Sequence, residues 1–148
     1  MLQLPDDRPV SRSLVEVRSY ELDSFGHANH AVFLNYLEFA RFEALRNVRF
    51  PSQEISARGW GVYVVRIEVD YLKEALLGDR LSIHTWAEGY RRSSMVLSQQ
   101  ITRDGDPTAL LARAQVTAVW VGTDRRPLRV PAEIRQALGG DLATGHDT

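Results

Sequence analysis

One carboxylate stands in a tight polar stretch, Asp23-Ser24-Phe25-Gly26-His27-Ala28-Asn29-His30, directly ahead of an apolar run that begins at Ala31. Asp23 and Gly26 suit the first and last positions of a type I turn, and Asn29 is a residue type that caps helices. This spacing places the carboxylate a few residues before a helix start, where unpaired backbone N–H groups and the helix dipole favour developing negative charge. A carboxylate able to attack, beside donors able to hold an oxyanion, is equipment for acyl transfer. The turn pattern alone also reads as a plain turn-forming Asp, with Gly26 set by backbone conformation and Asn29 by capping.

Other chemistries find less support. His27 and His30 stand near Asp23 without a further strong ligand, so no metal is expected there. The chain has no cysteine, which removes thiolate nucleophiles, thiolate metal sites and disulfides. It has no Gly-x-Ser-x-Gly elbow and no phosphate-binding glycine loop. Lys and Arg are scattered and the formal net charge is −1, so nucleic acid is not an expected partner.

A helix and a set of strands must position the loop. From Ala31 to Asn47, Phe33, Leu37, Ala40 and Ala44 form a stripe that Leu34, Tyr36, Phe39, Phe42 and Leu45 widen most of the way round. A helix this apolar is expected to be central and wrapped by sheet. Ser13–Leu22 reads as a first strand. Val62–Leu72 alternates Val65, Ile67, Val69 and Tyr71 against Arg66, Glu68 and Asp70. Arg80–Glu88, Ser94–Arg103 and Thr108–Val121 complete five strands, joined by turns such as Asp104-Gly105-Asp106-Pro107. Strands in sequence with tight turns pair antiparallel, which gives an α+β architecture: a sheet of about five strands round one long helix.

Residues 1–148 form a single domain with a core of about 13–138, a short helix over Pro131–Leu138, and termini that read as loosely attached. Hydrophobic residues make up 44% and charged residues 25%, no apolar run reaches membrane-spanning length, and the start lacks a signal-like segment. A cytoplasmic protein without a membrane partner is expected. A lone five-stranded sheet leaves edges open, so a homodimer is expected too.

Three separated motifs, Asp23-Ser24-Phe25-Gly26-His27-Ala28-Asn29, Phe33-Leu34-Asn35-Tyr36-Leu37-Glu38-Phe39-Ala40-Arg41, and Val69-Asp70-Tyr71-Leu72 with Gly78-Asp79, occur in order. Together they resemble the hotdog-fold acyl-CoA thioesterases of the 4-hydroxybenzoyl-CoA thioesterase type, over about residues 13 to 122. The resemblance implies a hotdog fold, dimers joined sheet edge to sheet edge, often tetramers, and acyl-CoA as substrate. It implies Asp23 as catalytic carboxylate, acting either as nucleophile or as base for water, and a backbone N–H near His30 that polarises the thioester carbonyl. Gly26, His27, Asn29 and His30 then surround the substrate. Arg91, Arg92 and Ser93 would meet CoA at the subunit interface, and Val64 and Val65 would lie beside the acyl group. Tyr36 reads first as core and is carried as a candidate pocket wall. No cofactor is expected, because CoA is part of the substrate. Two departures, Glu21 in place of a frequent aspartate and His30 in place of a frequent asparagine, bear on acyl specificity.

The chemistry is plausible without the resemblance. A thioester is already activated, and its leaving thiol has a pKa of about 8.5 by analogy with cysteine, so strong acid assistance is unnecessary. Three rivals remain: a thioesterase for acyl carrier protein, a non-catalytic acyl-thioester binder, and an enoyl-CoA hydratase. The last is the poorest match, because Asp23 and His27 are too close and no proline lies between them.

Overall fold

The computed structural model describes residues 3–140, and its architecture follows from one helix laid across one sheet. The elements are β1 (Ser11–Glu16), a 3-10 turn (Ser19–Glu21), α1 (His30–Asn47), α2 (Ser52–Ala57), β2 (Gly61–Tyr71), β3 (Arg80–Tyr90), β4 (Ser94–Arg103), β5 (Asp106–Val121) and α3 (Ala132–Leu138). All strand pairs are antiparallel, in the order β1-β3-β4-β5-β2. This is the α+β fold expected, with five strands and one long helix.

Alternation fixes which face of the sheet meets the helix. Leu81, Ile83 and Ala87 of β3, Met95, Leu97 and Ile101 of β4, and Ala112 and Val116 of β5 are buried under α1 and its flanking segments. The helix answers with Phe33, Tyr36, Leu37, Ala40, Ala44 and Leu45. Near its C-terminal end a second cluster gathers Phe50, Ile55, Trp120, Ile134 and Leu138, which fastens α2 and α3 to the sheet.

The structure corrects four expectations. The first strand ends at Glu16 and not at Leu22, because residues 19–21 turn through a 3-10 helix in which Glu21 reaches back to the Arg18 N–H at 2.9 Å. The strands from Val62 onward are not one run of hairpins. β2 pairs with β5, so residues 72–79 carry the chain from one edge of the sheet to β3, beside the other edge. The segment before β1 is anchored, with Arg8 Nη1 donating to the Ala87 carbonyl at 2.8 Å. Residues 1, 2 and 141–148 lie outside the described residues, and with them the expected tail.

The helix α1 is central with the sheet against it, as expected, and the fourth correction concerns only its outer face. The helix is buried on the sheet side only, and Leu34, Phe39 and Phe42 are exposed. Their apolar character signals that they want covering, and a single chain has no second sheet to supply it. The edge strand β2 shows the same deficit. Tyr63, Val64 and Val65 are 55%, 48% and 61% exposed along its free side, a large apolar surface for an unpaired edge. Val65 is the extra residue of a β-bulge between Val64 and Arg66.

Candidate active site

The loop between the 3-10 turn and α1 is tied at both ends. Leu22 and Ala28 pair across it, the Asp23 N–H donates to the His27 carbonyl at 2.7 Å, and the Gly26 N–H donates to the Asp23 carbonyl at 3.1 Å. The last bond closes the Asp23–Gly26 turn. Gly26 has φ +83°, a conformation that side chains disfavour, and nothing lies within 4 Å of where its Cβ would stand. Conformation alone therefore selects glycine there.

Within this turn the Asp23 carboxylate is half committed. Its Oδ1 accepts from the Phe25 N–H at 2.9 Å and the His27 N–H at 3.1 Å. Oδ2 has no partner among the described residues. The His27 backbone bond is the largest influence and outweighs the opposing cost of burial, and the Phe25 bond and the nearby imidazoles add to it, so the carboxyl lies below its ordinary value. Asp23 is thus ionised at neutral pH, with one oxygen held and one available.

The helix start is similarly accounted for, donor by donor. Asn29 Oδ1 caps α1 by accepting from the Ala31 N–H at 2.9 Å, and the Asn29 carbonyl accepts from Val32 and Phe33 at 2.9 and 3.4 Å. The Asn29 N–H donates to the Glu21 carbonyl at 2.9 Å, and the Ala28 N–H donates to the Ala75 carbonyl at 2.8 Å. The His30 N–H alone in this run has no acceptor among the described residues. It sits at the positive end of the α1 dipole.

A cavity of about 320 Å³ joins these groups, lined by Asp23, His27, His30, Phe33, Tyr71 and the Leu72–Glu74 segment with Ala28. The crossover after β2 supplies its far wall. The Tyr71 hydroxyl donates to the His30 carbonyl at 3.0 Å, and the Tyr71 ring meets His30 edge-on with centroids 6.0 Å apart. His27 Nε2 lies 3.0 Å from Glu74 Oε2, which pins that ring to the crossover. Asp23, with one carboxylate oxygen uncommitted, and His30, with its N–H unspent at a helix start, line the same open cavity.

Comparison with known proteins places the chain in a family. The profile of the thioesterase-like superfamily matches residues 17–138. This chain belongs to that superfamily. It is 32% identical over 125 residues to the long-chain acyl-CoA thioesterase FadM of Escherichia coli, covering 84% of this chain and 93% of the relative. It is 30% identical over 125 residues to the chloroplastic acyl-acyl carrier protein thioesterase ATL2 of Arabidopsis thaliana, but spans only 66% of that protein's length. The crystal structure of YbaW, a probable thioesterase from Escherichia coli, superposes with a TM-score of 0.77 at 32% identity, covering 88% of this chain and 97% of that one. The fold is the hotdog.

In this thioesterase-like chain, the residues read from the sequence divide into two groups. Asp23, His27 and His30 line the cavity, while Gly26 and Asn29 act from its rim by shaping the turn and capping the helix. Tyr36 does not line it. Tyr36 is buried on the sheet side of α1, with its hydroxyl donating to Glu21 Oε1 at 2.8 Å. Arg91, Arg92 and Ser93 form the β3–β4 turn, at the end of the sheet where Ser94 faces Val119 and Gly61 faces Val121. The Asp23 cavity adjoins Tyr71, at the other end of β2, a strand about 33 Å long. One chain does not bring these two groups together. Val64 and Val65 lie between them, exposed on the free edge.

Sequence reasoning missed Tyr71 and Glu74 as cavity residues. Tyr71 stood in the Val69-Asp70-Tyr71-Leu72 motif at the end of the alternating β2 run, while Glu74 had no signal; that the chain returns to the His27 loop depends on a long-range bridge between His27 and Leu76.

Proposed function

We propose that this protein is a thioester hydrolase that converts acyl-CoA to free acid and CoA. The observation that carries the reading is the pairing of one uncommitted carboxylate oxygen, on Asp23, with one uncommitted backbone N–H, on His30, in a single cavity. The thioester carbonyl oxygen accepts from the His30 N–H, whose dipole-end position favours the negative charge that develops there. Asp23 Oδ2 then either attacks the carbonyl carbon or takes a proton from an attacking water. On either route the C–S bond breaks and the thiolate leaves without strong acid assistance; after direct attack, water then hydrolyses the acyl–Asp23 anhydride to free acid and the original carboxylate. Likeness to FadM, an acyl-CoA thioesterase, supports CoA as the carrier. Likeness to ATL2 favours a second reading, an acyl carrier protein thioesterase acting at the same site.

The working unit is a homodimer, or a tetramer built from dimers. The free edge of β2, with Tyr63, Val64 and Val65 exposed, is suited to antiparallel pairing with the same strand of a second copy. A two-fold axis through β2 exchanges its ends, so the partner's Arg91–Ser93 turn comes to the Tyr71 end of this chain. CoA phosphates are then met by Arg91 and Arg92 across the interface.

The test is thiol release from a panel of acyl-CoAs and from the same acyl groups on pantetheine and on acyl carrier protein. Release from acyl-CoA above the pantetheine rate supports the reading. Preference for the carrier-bound thioester would transfer it to the second. Absence of release from all three would leave only an acyl-thioester binder.

A further inference from the structure

A second cavity, of about 230 Å³, lies toward the other end of α1 and shares no residue with the Asp23 site. Its walls are mostly apolar, from Val10, Ala44, Leu45, Leu97 and Leu138, yet Arg41 opens onto it. Arg41 stands eleven residues after His30, about 16 Å further along the helix.

Among the described residues the Arg41 guanidinium has one hydrogen bond, from Nη1 to Gln99 Oε1 at 3.2 Å. Both amide donors of Gln99 are spent in turn, because its Nε2 donates to the Leu37 carbonyl and to Thr85 Oγ1 at 3.0 Å each. A guanidinium carries five N–H donors, so most of those on Arg41 have no acceptor among the described residues. No carboxylate among the described residues forms an ion pair with it, and Glu38 acts on it only through space. Burial is the main influence on the group and lowers its pKa. The other guanidinium at the cavity, on Arg12, already pairs with Asp104 at 2.7 Å. The guanidinium is half-buried, its unpartnered nitrogens reach solvent, and it stands at the wall of a mostly apolar hollow where an incoming anion would be its natural partner.

We propose that this cavity is a binding site for a small carboxylate with a compact apolar body, the carboxylate forked onto Arg41 and the body between Val10, Leu45, Leu97 and Leu138. Charge complementarity selects an anion. The planar fork of a single guanidinium matches a carboxylate, and the volume, larger than a benzene-sized hollow of about 150 Å³, suits a body of that order. The proposal does not rest on the hydrolytic reading, since binding here needs neither Asp23 nor catalysis.

The experiment is a titration of the 15N-labelled full chain with octanoate, and with 1-octanol as its uncharged counterpart, followed by amide shifts. Octanoate is expected to move Ala44, Thr85 and Leu97, and octanol to bind at least about tenfold more weakly. Arg41→Met is expected to weaken octanoate by roughly tenfold or more. Val10→Phe, which keeps the charge and fills the hollow from its rim, is expected to block binding and serves as the decisive variant if Arg41→Met does not fold. Shifts confined to His27, His30 and Tyr71, equal affinity for octanol, or undiminished binding in Val10→Phe would each overturn the proposal.

Discussion

Replacing Asn29 separates the helix cap from the charge at the helix start. Its side chain contributes one hydrogen bond, to the Ala31 N–H at 2.9 Å, while its backbone bonds survive substitution. Asn29→Ala therefore removes only the cap, at a cost of about 1 kcal/mol, or about 3 °C in Tm for a chain of this size. Asn29→Asp keeps the cap, because aspartate caps as well as asparagine, but adds a negative charge beside the His30 N–H. A unit charge about 5 Å from a developing oxyanion costs about 3 kcal/mol at an effective dielectric of 20, and solvent in an open cavity reduces that. The expected result is a Tm near that of the parent and a kcat/KM lower by roughly 10- to 100-fold. Asn29→Ser, a neutral cap, is expected to restore both. Thermal unfolding and thiol-release kinetics on the three variants settle the matter. An Asn29→Asp variant as active as the parent would refute the assignment of the oxyanion to the start of α1.

Three further predictions follow from the same bonds. The Asp23 carboxyl is held below its ordinary pKa of 3.8 by the His27 and Phe25 N–H groups, and the proposed mechanism uses its charged form. Activity is therefore expected to stay level from pH 8 to 5 as far as Asp23 is concerned, and to fall only as pH drops through that lowered value; a pH–rate profile reads this. Tyr36→Phe leaves Glu21 Oε1 without its buried phenol donor and is expected to cost about 1.5–3 kcal/mol in chemical denaturation while KM changes less than about twofold. A larger rise in KM would return Tyr36 to the pocket. Arg91→Ala with Arg92→Ala is expected to raise KM for acyl-CoA several-fold and leave the pantetheine thioester unaffected, measured at low ionic strength where the charge effect is greatest.

What was legible in the sequence was local. The Asp23–Gly26 turn, the Asn29 cap and the span of α1 depend on neighbours within a few residues, and the structure has each where the residue types place it. The inward faces of β3 and β4 follow from alternation, although alternation also carries Gln99 inside, where it is held by Arg41, Leu37 and Thr85. The pairing of β2 with β5 was not legible, because nothing local in residues 72–79 distinguishes a crossover from a hairpin. That crossover is what brings Tyr71 and Glu74 to the Asp23–His30 loop. The apolar surplus on α1 was legible as a need for cover, but the one-sided burial that leaves Phe39 and Phe42 exposed depends on the number of strands one chain can wrap round it.

Asp23→Asn tests the central claim most directly, because it retains Oδ1 as acceptor for Phe25 and His27 and removes only the uncommitted anionic oxygen. Thiol release under single-turnover conditions is expected to fall by about 10²- to 10⁴-fold, with Tm within about 2 °C of the parent and acyl-CoA still bound. Undiminished release from a folded Asp23→Asn protein would contradict the account.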